Sequence, residues 1–235
     1  METFENLRFS SESFSGTVRL FPLPNLVLFP HVMQPLHIFE PRYRTMFEEA
    51  LRTDGLIAMA TLAPGWEADY EGRPPLYPTA CLSRIATHRR LDDGTYNVLI
   101  LGLRRVRLLG ELKPARCFRE ARVEVCEDHC PPEQASRRAA VQHKLHEALL
   151  GILPTMPDAQ EQLDHLLGTD LSLGMLTDVI GFMLDIEIGQ KEALLAEVDV
   201  LCRAESLLAH LSTLADEHEP NRSCVTAFPP PFSAN

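Results

Sequence analysis

The stretch LFPLPNLVLFPHVMQPLHIFEPRY, residues 20–43, constrains the fold more than any other part of the chain. It is apolar nearly throughout, as a buried strand is. Yet Pro22, Pro24, Pro30, Pro35 and Pro41 interrupt it. Each proline removes a backbone donor, so proline is confined to strand edges, first positions and bulges. A flat central strand is excluded. Short extended pieces separated by bends remain, and these suit a small, strongly curved β structure such as a barrel.

The rest of the chain divides at residues 123–132. Residues 1–122 hold 16 Lys+Arg and 14 Asp+Glu, a net of +2; residues 123–235 hold 6 and 19, a net of −13, which together give the overall −11. The hydrophobic period changes at the same place. Before it, LIAMATLA reads as a short buried strand. Two strand-like runs in ACLSRIATHRRLDDGTYNVLILGLRRVRLLGEL are joined by Asp92-Asp93-Gly94, a strong hairpin signal. ARVEVCE alternates as a further strand. EPRYRTMFEEALRTDG reads as a helix with Pro41 in its first turn, an apolar stripe of Met46, Phe47, Ala50 and Leu51, and Gly55 past its end. About six strands and one helix are expected before residue 127.

After CPPEQ the pattern is helical in residues 133–153, 158–168, 170–184, 190–198 and 199–218, with Asp170 and Asp199 at N-cap positions. Val200, Ala204, Leu207, Leu211 and Leu214 line one face of the last helix. The expected organisation is a flexible N-terminus (1–14), a β domain (15–127), a helical subdomain (128–217) and a Pro-rich tail (218–235). The chain shows no secretory leader and no apolar run near the ~18 residues of a membrane span, so a cytoplasmic protein without membrane association is expected. Its six cysteines lack paired spacing and read as reduced thiols.

Three blocks carry a family likeness. In the first, Pro22, Leu23, Val27, Phe29, Pro30, Pro35, Leu36, Ile38, Phe39, Pro41 and Arg42 fill a pattern that resembles the opening of the N-terminal substrate-binding domain of the Lon protease family. In the second, Gly94, Gly102, Arg105 and Arg107 stand where that family has its Asp-Gly hairpin and the strand after it. The third, LTDVIGFMLDIEIGQKEALLAEVDVLCRAESLLAHL, resembles the family's helical subdomain. The resemblance implies an α+β chain: a six-stranded PUA-like pseudo-barrel with one helix, followed by a helical bundle. It also implies a non-enzymatic, stand-alone module that binds unfolded or partially folded proteins or peptides, alongside a separate ATP-dependent protease. The sequence contains no Gly-Lys dipeptide, hence no Walker-type phosphate loop, and none of its three lysines resembles the Lon catalytic lysine. No cofactor or metal is expected; Cys126, His129 and Cys130 lack a second ligand pair.

Candidate client-binding residues are Pro30, His31, Met33 and Gln34 of the proline-broken segment and Trp66, Tyr70 and Tyr77 of the long 63–78 loop, where large aromatics suit recognition. Met33, Phe39, Met46 and Phe47 are read first as core, and His31, Gln34, His37 and Tyr43 as more accessible. The alternative is an RNA-binding PUA-like module that uses a basic hairpin of Arg84, Arg89, Arg90, Arg104, Arg105 and Arg107. Strand alternation scatters those arginines over two faces, and the net charge opposes phosphate binding.

Overall fold

A computed structural model describes residues 9, 14–70, 72–152, 171–217 and 233–234. The chain divides into two compact units, residues 1–126 with 229–235, and residues 127–228.

The first unit contains β1 (Thr17–Leu23), β2 (Met33–Ile38), α1 (Pro41–Arg52), β3 (Leu56–Leu62), β4 (Leu76–Arg90), β5 (Tyr96–Glu111) and β6 (Arg119–Cys126). A two-residue β7 (Ser233–Ala234) also belongs to it. The strand order is β4-β3-β1-β6-β5-β2-β7, and β4 also pairs with β5. That extra ladder closes β1, β3, β4, β5 and β6 into a ring. Among the described strands of this unit, β1–β3 and β2–β7 run parallel and the other pairs are antiparallel. The expected α+β pseudo-barrel is the observed one.

The prolines now have places. β1 pairs with β6 over Thr17–Leu20, then continues against β3 over Leu20–Leu23. Pro22 therefore lies beyond the β6 ladder, where its missing donor costs no hydrogen bond on that side. Pro24 and Pro30 lie in the connection to β2, Pro35 lies in β2 just before its two-residue pairing with β7, and Pro41 is the first residue of α1. His31, in that connection, has φ 66. Its backbone N–H donates to Gly102 O at 2.9 Å, and Gly102 N–H donates back to Val32 O at 2.9 Å.

Inside the ring, Val18, Leu20, Leu56, Ala58, Ala60, Ala80, Leu82, Leu103, Val106, Ala121 and Val123 form one buried cluster. Phe9 and Phe14 pack against it. All seven β3 residues are buried, so both faces of that strand are covered. The hairpin turn forms as expected: Gly94 has φ 80, and Asp93 Oδ1 accepts from Thr95 N at 2.9 Å and Thr95 Oγ1 at 2.7 Å. On α1 the buried stripe is Tyr43, Met46, Phe47 and Ala50. Leu51 is 38% exposed and Tyr43 takes the expected role, its ring 4.6 Å from that of Phe21. The i, i+3, i+4, i+7 spacing runs from Tyr43, and the phenol ring supplies the apolar body.

The second unit contains α2 (Ala135–Ile152), α3 (Leu173–Met183), α4 (Ile188–Ala196) and α5 (Val200–Glu217). Asp199 caps α5, its Oδ1 accepting from Leu201 N at 2.9 Å and Cys202 N at 3.0 Å. Ser172 caps α3 through Met175 N, and Glu187 with Gln190 forms a capping box on α4. Val200, Ala204, Leu207 and Leu211 are buried, with α5 against α2 and α3. The expected helix at 158–168 and the Asp170 cap lie outside the described residues. So do the burial of Leu214 and most of the Pro-rich tail. No helix among the described residues is long and apolar enough to cross a membrane.

Candidate functional site

β2 is where the first unit offers an edge. One side of the strand pairs with β5 at all six positions, Met33–Ile38 against Leu101–Tyr96. The other side pairs, among the described residues, only at Leu36 and His37, with Ser233 and Ala234. Gln34, Leu36 and Ile38 are buried, whereas Met33 and His37 are half-buried and Phe39 is 42% exposed. Met33, Pro35 and His37 share a face by alternation; Met33 and His37 are its more open positions and Pro35 is buried, while Phe39, one step past the strand, is open. His37 stacks on Phe39 at 5.9 Å between centroids, and its Nδ1 lies 2.8 Å from Asn97 Oδ1.

The aromatic loop folds toward the end of this strand. Gly65 turns the chain with φ 90, and Trp66–Asp69 form one 3₁₀ turn. The Trp66 and Tyr70 rings meet edge-on at 5.7 Å. Tyr70 Oη donates to Glu40 Oε1 at 2.9 Å, and Glu40 Oε2 accepts from Arg42 Nε at 2.9 Å. The Arg42 guanidinium lies 4.7 Å from the Tyr43 ring centre and 5.2 Å from that of Tyr70. Burial, then the hydrogen bond to Glu40, pushes the Tyr70 phenol above its ordinary pKa, and burial does the same for Tyr43. Both rings stay neutral at physiological pH, and Tyr70 stays a donor. Trp66 and Tyr70 remain half-exposed, so the cluster offers ring surface with little freedom left to lose.

The structure separates the sequence-derived candidates. Trp66 and Tyr70 come together; Tyr77 is half-exposed on β4, with no ring contact to that pair. His31 is exposed and Met33 half-buried. Pro30 is buried, and Gln34 is 2% exposed with its Nε2 donating to Pro35 O at 2.8 Å. Both face inward because β2 turns its even positions to the core and the 29–32 turn is held on Gly102. Tyr43 is likewise buried, not accessible. Of the group read first as core, Met46 and Phe47 are fully buried, whereas Phe39 is open. Phe39, Glu40 and Arg42 complete the cluster; the signal for them was Phe39's place one step past the strand, before the Pro41 helix start.

The arginines of the hairpin do not form one face. Arg105 is 3% exposed. Arg107 pairs with Glu124 at 2.9 Å, and Arg104 donates to Leu103 O at 2.8 Å. Arg84 lies 3.4 Å from Asp54 O, and the Arg90 guanidinium lies 5.9 Å from the Tyr96 ring centre. Arg89 and Arg90 sit opposite Asn97 and Tyr96, whereas Arg107 lies at the far end of the same ladder. A register shift at Leu82/Ser83 interrupts the alternation on the way.

Comparison with known proteins matches this arrangement to one family. The family model for the ATP-dependent protease La (LON) substrate-binding domain matches residues 17–213. Lon protease 2 of Myxococcus xanthus is 27% identical over 205 residues, covering 86% of this chain and 24% of that protein. Lon protease 1 of Bdellovibrio bacteriovorus is 25% identical over 221 residues, covering 94% of this chain and 28% of that one. The chain thus spans about a quarter of the length of these curated relatives. In fold it is similar to the N-terminal domain of a Mycobacterium avium complex Lon protease, with TM-score 0.64, 20% identity, and 83% and 98% of the two chains covered. The Lon N-terminal domain protein from Xanthomonas campestris gives TM-score 0.56 at 23% identity, with 82% and 97% covered. With a match that runs from β1 through most of α5, on a barrel and helical unit of the same fold, this chain belongs to the Lon substrate-binding domain family.

Proposed function

We propose that the chain is a non-catalytic module that holds exposed apolar segments of unfolded or partly folded proteins, and acts as an adaptor beside a separate ATP-dependent protease. The observation that carries this reading is the β2 edge, paired on its outer side at only two described positions and flanked by Met33, His37 and Phe39. An extended client adds there as a strand: backbone hydrogen bonds supply affinity and alternate side chains meet the apolar row. Trp66 and Tyr70 supply a stiff aromatic anchor at the end of the row. A surface this small binds many clients weakly, at about micromolar affinity or about −8 kcal/mol. Such binding changes little between about 50 and 200 mM salt, in contrast to phosphate-backbone binding.

The test is capture of carboxymethylated, permanently unfolded lactalbumin by the wild type and by the Phe39→Ala/Trp66→Ala double variant, with circular dichroism confirming that the variant is folded. A loss of roughly tenfold in affinity, about 1.4 kcal/mol, is expected. Equal capture by the two proteins refutes this placement of the site.

A further inference from the structure

Beside the aromatic cluster lies a cavity of about 420 Å³ whose lining includes Arg42, Arg73, Arg116 and Arg119 together with Tyr43 and Phe118. Four of its eight lining residues are arginines, and no aspartate or glutamate lines it among the described residues. Each of the four pairs with a glutamate outside the lining: Arg42 with Glu40, Arg73 and Arg119 with Glu111, and Arg116 with Glu49 and Glu120. The arginines come from four places: α1, the loop before β4, the β5–β6 connection and the start of β6.

Their own partners account for only part of their donors. Arg73 donates to Glu111 at 2.8 Å and to Arg116 O at 2.9 Å. Arg116 bonds Glu49 and Glu120 and lies 4.3 Å from the Phe118 ring centre. Arg119 donates to Pro74 O at 2.7 Å and to Glu111. These contacts fix the guanidinium planes. Yet Arg119 Nε and Arg42 Nη2 are buried and have no hydrogen-bond partner. The Arg119 side chain is only 9% exposed. A buried cationic donor without an acceptor is costly, and a guanidinium fork matches a planar carboxylate.

We propose that this cavity is a carboxylate-binding subsite, and that it takes an acidic group of the bound client. The second part rests on the proposed client-binding reading. Arg42 is the physical link, since its guanidinium both lines the cavity and lies over the Tyr70 ring. A client strand on β2 that reaches past Phe39 meets aromatic surface first and the arginine hollow next. The carboxylate comes from the client's free C-terminus or from an Asp or Glu side chain.

The experiment follows the side-chain Nε–H signals of Arg119 and Arg42 by NMR in isotope-labelled protein, assigned with Arg119→Lys and Arg42→Lys, during titration with succinate. Saturable shifts of both signals at millimolar succinate are expected. Affinity should fall at least tenfold in Arg73→Ala and in Arg116→Ala, whose side chains are partly exposed and which are checked for unchanged folding. No shift at saturating succinate overturns the proposal, as does inorganic phosphate binding tenfold more tightly than succinate. The source is then read with an apolar ten-residue peptide ending in Asp, its C-terminal amide and its Asp→Asn form. At least fivefold weakening by amidation identifies the terminal carboxylate, and the same weakening by Asp→Asn identifies the side chain. Equal binding of these three and of a fourth peptide carrying both changes refutes the client assignment while leaving peptide binding on β2 intact. Succinate binding without any peptide binding supports the carboxylate subsite and refutes the client reading.

Discussion

Gly102 shows how one residue sets the position of the binding segment. A Cβ placed there meets Phe29 O at 2.1 Å and Phe29 C at 2.9 Å, both backbone atoms that cannot swing away. The same glycine exchanges two hydrogen bonds with the turn that precedes β2. Gly102→Ala must therefore push the 29–32 turn off β5, and an expected loss of about 2–4 kcal/mol follows from overpacking and broken hydrogen bonds. Chemical denaturation checks this; a loss under about 0.5 kcal/mol contradicts the close-approach account. In the sequence Gly102 was legible as a special position, through the family pattern, but its reason was not. The contact joins residues 29 and 102, and local sequence carries no record of that distance. Phe39 was misjudged for the opposite reason. Apolar residues at strand spacing are usually inside, and only the turn at Glu40–Pro41 leaves this ring in the open.

At the scale of elements, the helical unit depends on one buried cation. Arg203 of α5 is fully buried. Its Nε donates to Thr177 Oγ1 at 2.9 Å and lies 3.7 Å from Asp178 Oδ1 on α3. Its Nη1 reaches Glu197 O at 2.6 Å, and its two Nη atoms grip Asp128 at 3.1 and 2.8 Å. One guanidinium thus ties α5, α3 and the segment ahead of α2. Arg203→Met removes the buried guanidinium from its bonds to Thr177, Glu197 and Asp128, and about 3–5 kcal/mol of this unit's stability should be lost. Arg203→Lys should restore part of it, because a buried cation is then kept beside Asp128. Thermal unfolding of both variants is the measurement; an unchanged melting point for Arg203→Met contradicts the assignment. Helix existence and the Asp199 cap were legible from period and capping rules. Arg203 was not, because within α5 it reads as one more charge on an amphipathic helix. The prolines were the reverse case, since their number required bends, and the bends required a closed sheet.

Across the molecule, acid sensitivity should follow the arginine–carboxylate network of the first unit. The hydrogen bond from Arg116 holds Glu49 below its ordinary pKa of 4.5. For Glu111, burial opposes ionisation, but Arg119 and Arg73 outweigh it and the pKa is again lowered. Carboxyls with depressed folded pKa values stabilise the fold fully above the unfolded value and lose that contribution as pH falls through the folded one. The melting temperature should therefore decline below about pH 4.5, and Arg116→Ala should flatten that decline. An equally steep acid limb in the variant speaks against the network. The charge split between the halves of the sequence hinted at two units, whereas the arginine hollow, drawn from residues 42 to 119, was invisible until the barrel closed. The central claim is that the β2 edge and its aromatic anchor hold extended clients. Amide hydrogen exchange, with and without saturating carboxymethylated lactalbumin, tests it most directly. Slowed exchange confined to residues 33–40 and 64–73 is the predicted result; protection confined to residues 84–107, or none in the first unit, contradicts it.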